Sequence, residues 1–139
     1  MKKACSLLQR LLRRAKVYSA LQMNIAERQV GDITIIDLQG SILFEDGDQE
    51  LRAVVTRLLE SGRGKLVLNM SEVPYLDSAG LSEIVRSFVA VKKRGGRMVL
   101  MELTRKVNDL LTIANLLTIF ETFDSEAEAL QSFAATPAR

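Results

Sequence analysis

The residues with the strongest claim to chemistry are consecutive. Tyr75-Leu76-Asp77-Ser78-Ala79-Gly80-Leu81 sets a carboxylate beside a hydroxyl where a loop leaving a strand runs into a helix. Unpaired backbone N–H groups and the positive end of the helix dipole favour an anion at such an entrance, so a phosphate carried on Ser78 is electrostatically tolerated there. The same spacing suits a simple helix cap by Asp77 or Ser78, which is the commoner use of these residue types. A hydrolase nucleophile does not fit. The chain has no His and no GxSxG elbow, and Leu81 stands where the lysine of an SxxK motif would be.

Two other segments invite a chemical reading and fail it. Gly62-Arg63-Gly64-Lys65 falls short of the phosphate-loop pattern GxxxxGK[ST], since Leu66 follows the lysine, and it reads as a helix stop and turn. Asp46, Asp48 and Glu50 lack the calcium-loop pattern and read as the acidic start of a helix. With no His, and Cys5 as the single cysteine, there is no material for His-based acid–base catalysis, a Cys/His zinc site, a CxxC redox pair or an intrachain disulfide. No nucleophile–base pair can be named, so no enzyme activity is expected, nor any catalytic residue, metal or cofactor. A lone thiol fits a reducing, cytoplasmic compartment.

The elements that must hold Asp77 and Ser78 are legible from periodicity. At 139 residues, 47% apolar and 26% charged, the chain has the size and composition of one globular domain. Asn24–Val30 and Ile33–Gln39 flank Gly31-Asp32 as a hairpin, and Gly40 to Gly47 is turn-rich. Leu51, Val54, Val55, Leu58 and Leu59 mark a first helix, stopped by Gly62. Lys65 to Met70 reads as an interior strand, and Leu81, Ile84, Val85, Phe88 and Val91 as the inward stripe of a second helix ended by Gly95-Gly96. Arg97 to Glu102 is the next strand, parallel to its predecessor if a right-handed crossover joins them. Thr104 is placed to cap a third helix, Ile119 to Phe123 to add an edge strand, and Ser125-Glu126-Ala127-Glu128 to open the last helix with a capping box. The expected fold is α/β: a mixed β-sheet of about four to five strands covered by about four helices, opening with a β-hairpin.

Charge is distributed unevenly. Residues 1–22 carry Lys2, Lys3, Arg10, Arg13, Arg14 and Lys16 with no acid, so the remainder holds 13 bases against 17 acids. That body lacks the basic surplus of a nucleic-acid binder, and direct nucleic-acid contact is not expected. Residues 1–22 read as an amphipathic helix, with Leu7, Leu8, Leu11, Leu12, Ala15 and Tyr18 on one arc and the bases opposite. Its apolar stretches are too short and too interrupted for a membrane span or an ordinary signal peptide. Contact with an anionic membrane surface is a secondary expectation. Packing on the body or on a partner, or an upstream translation start before Met23, accounts for it more simply, with the latter preferred. The domain boundaries expected are therefore 1–22 for this extension and 23–139 for the folded body.

From about Met23 to Phe133 the chain resembles the STAS family, the bacterial anti-sigma-factor antagonists. The resemblance rests on the hairpin ending in LQGSI, on KLVLNMSEVPYLDSAGL, on KKRGGRMVL, on TRKVNDLLTIANL and on the final strand and helix. It implies a STAS domain that acts by partner switching. On that resemblance, the unphosphorylated protein is expected to bind an anti-sigma serine kinase with a histidine-kinase-like ATPase fold and so to free a sigma factor. The resemblance further implies that the kinase phosphorylates Ser78 and that a serine phosphatase resets it. It also implies a partner surface from Asp77, Ser78, Ala79, Gly80 and Leu81 with Ser41. Two departures are visible. Gly40-Ser41-Ile42-Leu43 lacks the acid that many such antagonists carry after that glycine, and Ala114-Asn115-Leu116 replaces Ser-Gly-Leu, Asn being able to take the left-handed cap. The alternative function is a STAS scaffold or regulatory subunit of a membrane transporter or signalling complex.

Overall fold

The structure, a computed structural model, describes residues 23–134. The chain opens with β1 (Asn24–Val30) and β2 (Ile33–Gln39), an antiparallel hairpin in which Val30 faces Ile33. Gly31 takes the left-handed conformation, φ 63°, that this tight turn demands. There follow α1 (Asp48–Glu60), β3 (Lys65–Glu72), α2 (Ser78–Lys93), β4 (Arg97–Met101), α3 (Arg105–Ile113), β5 (Thr122–Phe123) and α4 (Glu126–Ala134). The strands lie in the order β1-β2-β3-β4-β5, and each pairing after the hairpin is parallel. This is the mixed sheet with four helices that the alternation of patterns predicts.

Strand alternation divides the apolar residues between two layers. Ile36 and Leu38 of β2, Leu66, Leu68 and Met70 of β3, and Met98 and Leu100 of β4 face α1, α2 and α3 and form the larger core. Ile33, Ile35, Val67, Val99 and Met101 face the other way, where Ala129 and Phe133 of α4 cover them. Because β2, β3 and β4 are apolar on both faces, they must be interior, and the polar Asn24–Val30 strand takes the edge.

Some boundaries and caps differ from the sequence expectations. The third strand runs on to Glu72. The expected edge strand Ile119 to Phe123 is reduced to Thr122–Phe123, because Phe120 turns into the main core and meets Phe88 edge-on at 5.1 Å. Thr104 sits at the N-cap of α3, yet its hydroxyl donates to the Val73 carbonyl at 2.8 Å rather than capping the helix. Ser125 does cap α4, accepting the Glu128 N–H at 3.2 Å, while the Glu128 carboxylate accepts from Asp124 N–H. Asn115 takes the left-handed conformation, φ 60°, expected of it after α3. The amphipathic helix read in residues 1–22 lies outside the described residues.

Candidate functional site at the entrance to helix α2

The site is built where two loops at the carboxyl end of the parallel strands close on each other. Ile42 forms an isolated parallel bridge with Leu76: Ile42 N–H donates to the Tyr75 carbonyl at 3.1 Å, and Asp77 N–H donates to the Ile42 carbonyl at 3.2 Å. Leu76 and Ile42 are both buried and hold the bridge in the core. Gly80, in the first turn of α2, permits the approach. A Cβ at that position would lie 2.1 Å from the Ile42 carbonyl oxygen, an impossible contact.

Asp77, not Ser78, caps α2. Its Oδ1 accepts the Gly80 N–H at 2.9 Å, and its carbonyl accepts the Leu81 N–H, the first turn of the helix. Its second oxygen, Oδ2, accepts the Phe44 N–H at 3.1 Å across the gap between the loops. Phe44 stands at the tip of a turn closed by reciprocal bonds between Leu43 and Asp46. Ser78 is thereby relieved of the capping role that its position allowed. It is exposed, and no hydrogen bond engages its hydroxyl among the described residues. The same two loops leave two aromatic side chains in solvent, Phe44 at 65% and Tyr75 at 43% exposure.

Of the residues expected at the site, Asp77, Ser78, Ala79, Gly80 and Leu81 form one continuous entrance, with Gly80 buried and Ala79 and Leu81 half-buried. Ser41 lies beside them in the chain path but is only 5% exposed, so that segment reaches the surface through Phe44 instead. Phe44 escaped the sequence reading. An aromatic residue at the tip of a turn-rich, acidic connection was the available signal. The acids of that connection do serve the helix start: Asp48 Oδ1 accepts Glu45 N–H and Gln49 N–H, both at 2.8 Å, and Glu50 accepts Gly47 N–H. The Gly62-Arg63-Gly64-Lys65 segment is remote, at the opposite end of β3. A recess of about 420 Å³ there is lined by Asp32, Gly64, Lys65, Arg94 and Gly96, and Lys65 is paired with Asp32 at 2.6 Å. Among the described residues no group of His, Cys, Asp or Glu is arranged to hold a metal, and no helix is long and apolar enough to cross a membrane.

A five-stranded mixed sheet of this order, crossed by helices after each parallel strand and with a serine exposed at the entrance of the helix that follows its central strand, defines an α/β domain of a specific topology. Residues 24–129 match the STAS domain model, and the chain belongs to the STAS domain family. It is 26% identical over 111 residues to BtrV of Bordetella bronchiseptica, covering 80% of this chain and 95% of that protein. It is 29% identical over 98 residues to the anti-sigma F factor antagonist of Paenibacillus polymyxa, covering 70% and 84%. The fold also matches the anti-sigma factor antagonist SpoIIAA in its unphosphorylated form, with a TM-score of 0.69 at 17% identity, over 81% of this chain and 97% of that one. At that identity the match speaks for the fold alone.

Proposed function

We propose that this STAS domain is an anti-sigma-factor antagonist that switches partners through phosphorylation of Ser78. The observation that carries the proposal is the division of labour at the entrance to α2: Asp77 caps the helix and leaves the Ser78 hydroxyl exposed, on loops that also expose Phe44 and Tyr75. The name of the Paenibacillus relative and the existence of a Bacillus SpoIIAA structure in phosphorylated form support it. The unphosphorylated surface docks on an anti-sigma serine kinase of the cytoplasm, displacing a sigma factor. The kinase then transfers the γ-phosphoryl group of ATP to Ser78 Oγ. The hydroxyl proton is lost, the O–P bond forms, and ADP leaves. A serine phosphatase hydrolyses the ester and restores the docking surface. The domain is substrate and ligand in this cycle and catalyses no step of it.

The magnitudes suit a switch at the interface. The phosphate adds about −1.5 to −2 charges beside Asp77. A like-charge contact near 4 Å costs about 1 kcal/mol in water and about 4 kcal/mol at an effective dielectric of 20. That weakens binding by about five-fold to several hundred-fold. The test is calorimetric titration of the kinase, identified by pull-down from the native cell with mass spectrometry, against Ser78→Ala and Ser78→Asp. Ser78→Ala should bind as the unmodified protein does, and Ser78→Asp should bind at least about five-fold more weakly. Equal affinities would remove the switch.

A further inference from the structure

We propose that Arg52 and Arg86, held in place by the buried carboxylate of Glu83, form a seat for an acidic side chain of the anti-sigma kinase beside the face that carries Ser78. The proposal rests on the switch described above and names the partner chemistry that the switch requires.

Glu83 is only 2% exposed, and the site at the entrance to α2 makes no use of it. Its Oε2 accepts the Ser87 hydroxyl at 3.2 Å, and its Oε1 accepts Arg52 Nε–H from α1 at 2.9 Å and lies 3.6 Å from Arg86 Nη1. Taking a carboxylate out of water is costly, and an ion pair so placed is weak support for stability. What it does secure is position. Two guanidiniums, 49% and 60% exposed, converge on one fixed point between α1 and α2. Arg52 spends only Nε on the carboxylate, and neither its Nη groups nor those of Arg86 make a hydrogen bond among the described residues. Guanidinium forks held in this way are suited to grip a carboxylate through paired N–H donors.

Ser78, Ser82 and Arg86 follow one another at four-residue steps along α2, and Val89 shares their face; all four are exposed. Glu83 lies five residues from Ser78, about 7.5 Å along the axis, and Arg86 leans back toward it as helical side chains do. The guanidiniums thus sit one to two turns from Ser78. With a screening length of about 8 Å, a carboxylate they hold feels a phosphate on Ser78.

Charge identifies the occupant. For a phosphate to drive a partner off by repulsion, the partner must bring negative charge to this surface. The loops around Ser78 cannot hold such charge, since they carry Glu45, Asp46, Glu50, Glu72 and Asp77. Arg52 and Arg86 can. The apolar part of the same surface is Val89 at 43% exposure, with Phe44 and Tyr75 on the site loops. An acidic side chain flanked by apolar ones is the partner chemistry that fits.

Calorimetric titration of the captured kinase against the full chain tests the seat. Arg52→Gln and Arg86→Gln should each weaken binding about ten-fold and flatten its dependence on salt. Arg86→Gln, which removes only an exposed pair, should keep the wild-type urea midpoint. Arg52→Lys should recover part of the affinity, because an ammonium keeps the charge and lacks the fork. Glu83→Met keeps the volume and removes the acceptor, and it should also weaken binding although it makes the domain more positive. Tighter binding in that variant would show that the overall field sets the affinity, and it would overturn the positioning role of Glu83. A second arm needs no kinase and decides alone if none is captured. In about 0.01 M salt, hexaglutamate added to isotope-labelled full chain should move the Nε–Hε resonances of Arg52 and Arg86 along one saturation curve, and Arg86→Gln should lessen the shift at Arg52. Shifts confined to other bases, or wild-type kinase affinity in both arginine variants while Ser78→Asp binds weakly, would overturn the seat and leave the switch standing. Weak binding by the arginine variants with none lost in Ser78→Asp would instead count against the switch and leave the seat.

Discussion

The carboxylate of Asp77 and the backbone of Phe44 are joined across the two site loops, Phe44 N–H donating to Asp77 Oδ2 at 3.1 Å while Oδ1 is occupied by Gly80 N–H. One side chain thus ties the first turn of α2 to the tip of the β2–α1 turn. Any charge placed on Ser78 appears next to a carboxylate already committed to two donors, in a frame that the Ile42–Leu76 bridge keeps from shifting.

Removing that carboxylate should cost both bonds. For Asp77→Ala we expect a loss of about 1–2 kcal/mol for the cap and about 1 kcal/mol for the bond to Phe44, read as a lower urea midpoint. Asp77→Asn keeps an oxygen for Gly80 but faces Phe44 N–H with an amide donor, so it should lose about 1 kcal/mol and speed hydrogen exchange at Phe44. Equal losses in the two variants would mean that the bond to Gly80 contributes nothing, and an Asp77→Asn variant as stable as the wild type would mean the same of the Phe44 bond.

Gly80→Ala separates helix propensity from tertiary contact. Alanine is favoured in a helix interior by about 1 kcal/mol over glycine. Against that gain, the new methyl would be driven to 2.1 Å from the Ile42 carbonyl oxygen, which is held by the Asp77 N–H. The loops must part, and the expected outcome is a net loss of about 2 kcal/mol or more in urea unfolding, with Phe44 and Tyr75 amide shifts displaced. A stabilised variant would show that the loops open at no cost.

The hairpin, the alternation of strands and helices and the entrance at Asp77-Ser78 were legible because each depends on local chemistry: a turn glycine, a period of two or 3.6, a cap. What escaped depends on contacts distant in sequence. Ile42 and Leu76 pair across 34 positions through backbone atoms, which no side-chain pattern announces. Thr104 has the type and position of a cap, yet the nearby Val73 carbonyl captures its hydroxyl. Phe120 fits an alternating edge strand until the space beside Phe88 draws it inward. The choice between Asp77 and Ser78 as the cap was equally invisible to spacing, and it is settled by the second acceptor role that Phe44 gives to Asp77.

Acid should weaken the fold through carboxylates whose pKa values are held down. Asp37 is lowered mainly by its hydrogen bonds from Arg28, opposed by partial burial and helped by Asn69, and Glu121 is lowered mainly by Arg97. In the unfolded chain they titrate near about 3.9 and about 4.3. A depressed folded pKa means that the unfolded state takes up protons first, so the stabilisation is complete above about pH 5 and is lost as pH falls through the unfolded values toward the folded ones. Both pairs are partly solvated, and each should contribute no more than about 1 kcal/mol. Urea midpoints should be flat from about pH 6 to 8 and fall below about 5, with a shallower fall in Asp37→Asn. An identical acid slope in that variant would assign the loss to other groups.

Substitution at Ser78 should leave the fold nearly untouched. The hydroxyl is exposed and makes no hydrogen bond among the described residues, so Ser78→Ala should change stability by less than about 0.5 kcal/mol. Ser78→Asp puts a carboxylate into a first turn that otherwise has no acidic residue, gaining about 0.3–1 kcal/mol from the helix dipole. Repulsion from adjacent Asp77, about 1 kcal/mol at 4 Å in water, acts in the opposite direction. The two effects nearly cancel, and both variants should match the wild-type unfolding free energy in urea within about 1 kcal/mol while differing in kinase affinity. A destabilisation of Ser78→Asp by more than about 2 kcal/mol would place the action of the charge inside the domain rather than at its surface, because only a repacked loop could lose that much where no bond of the serine existed to be broken.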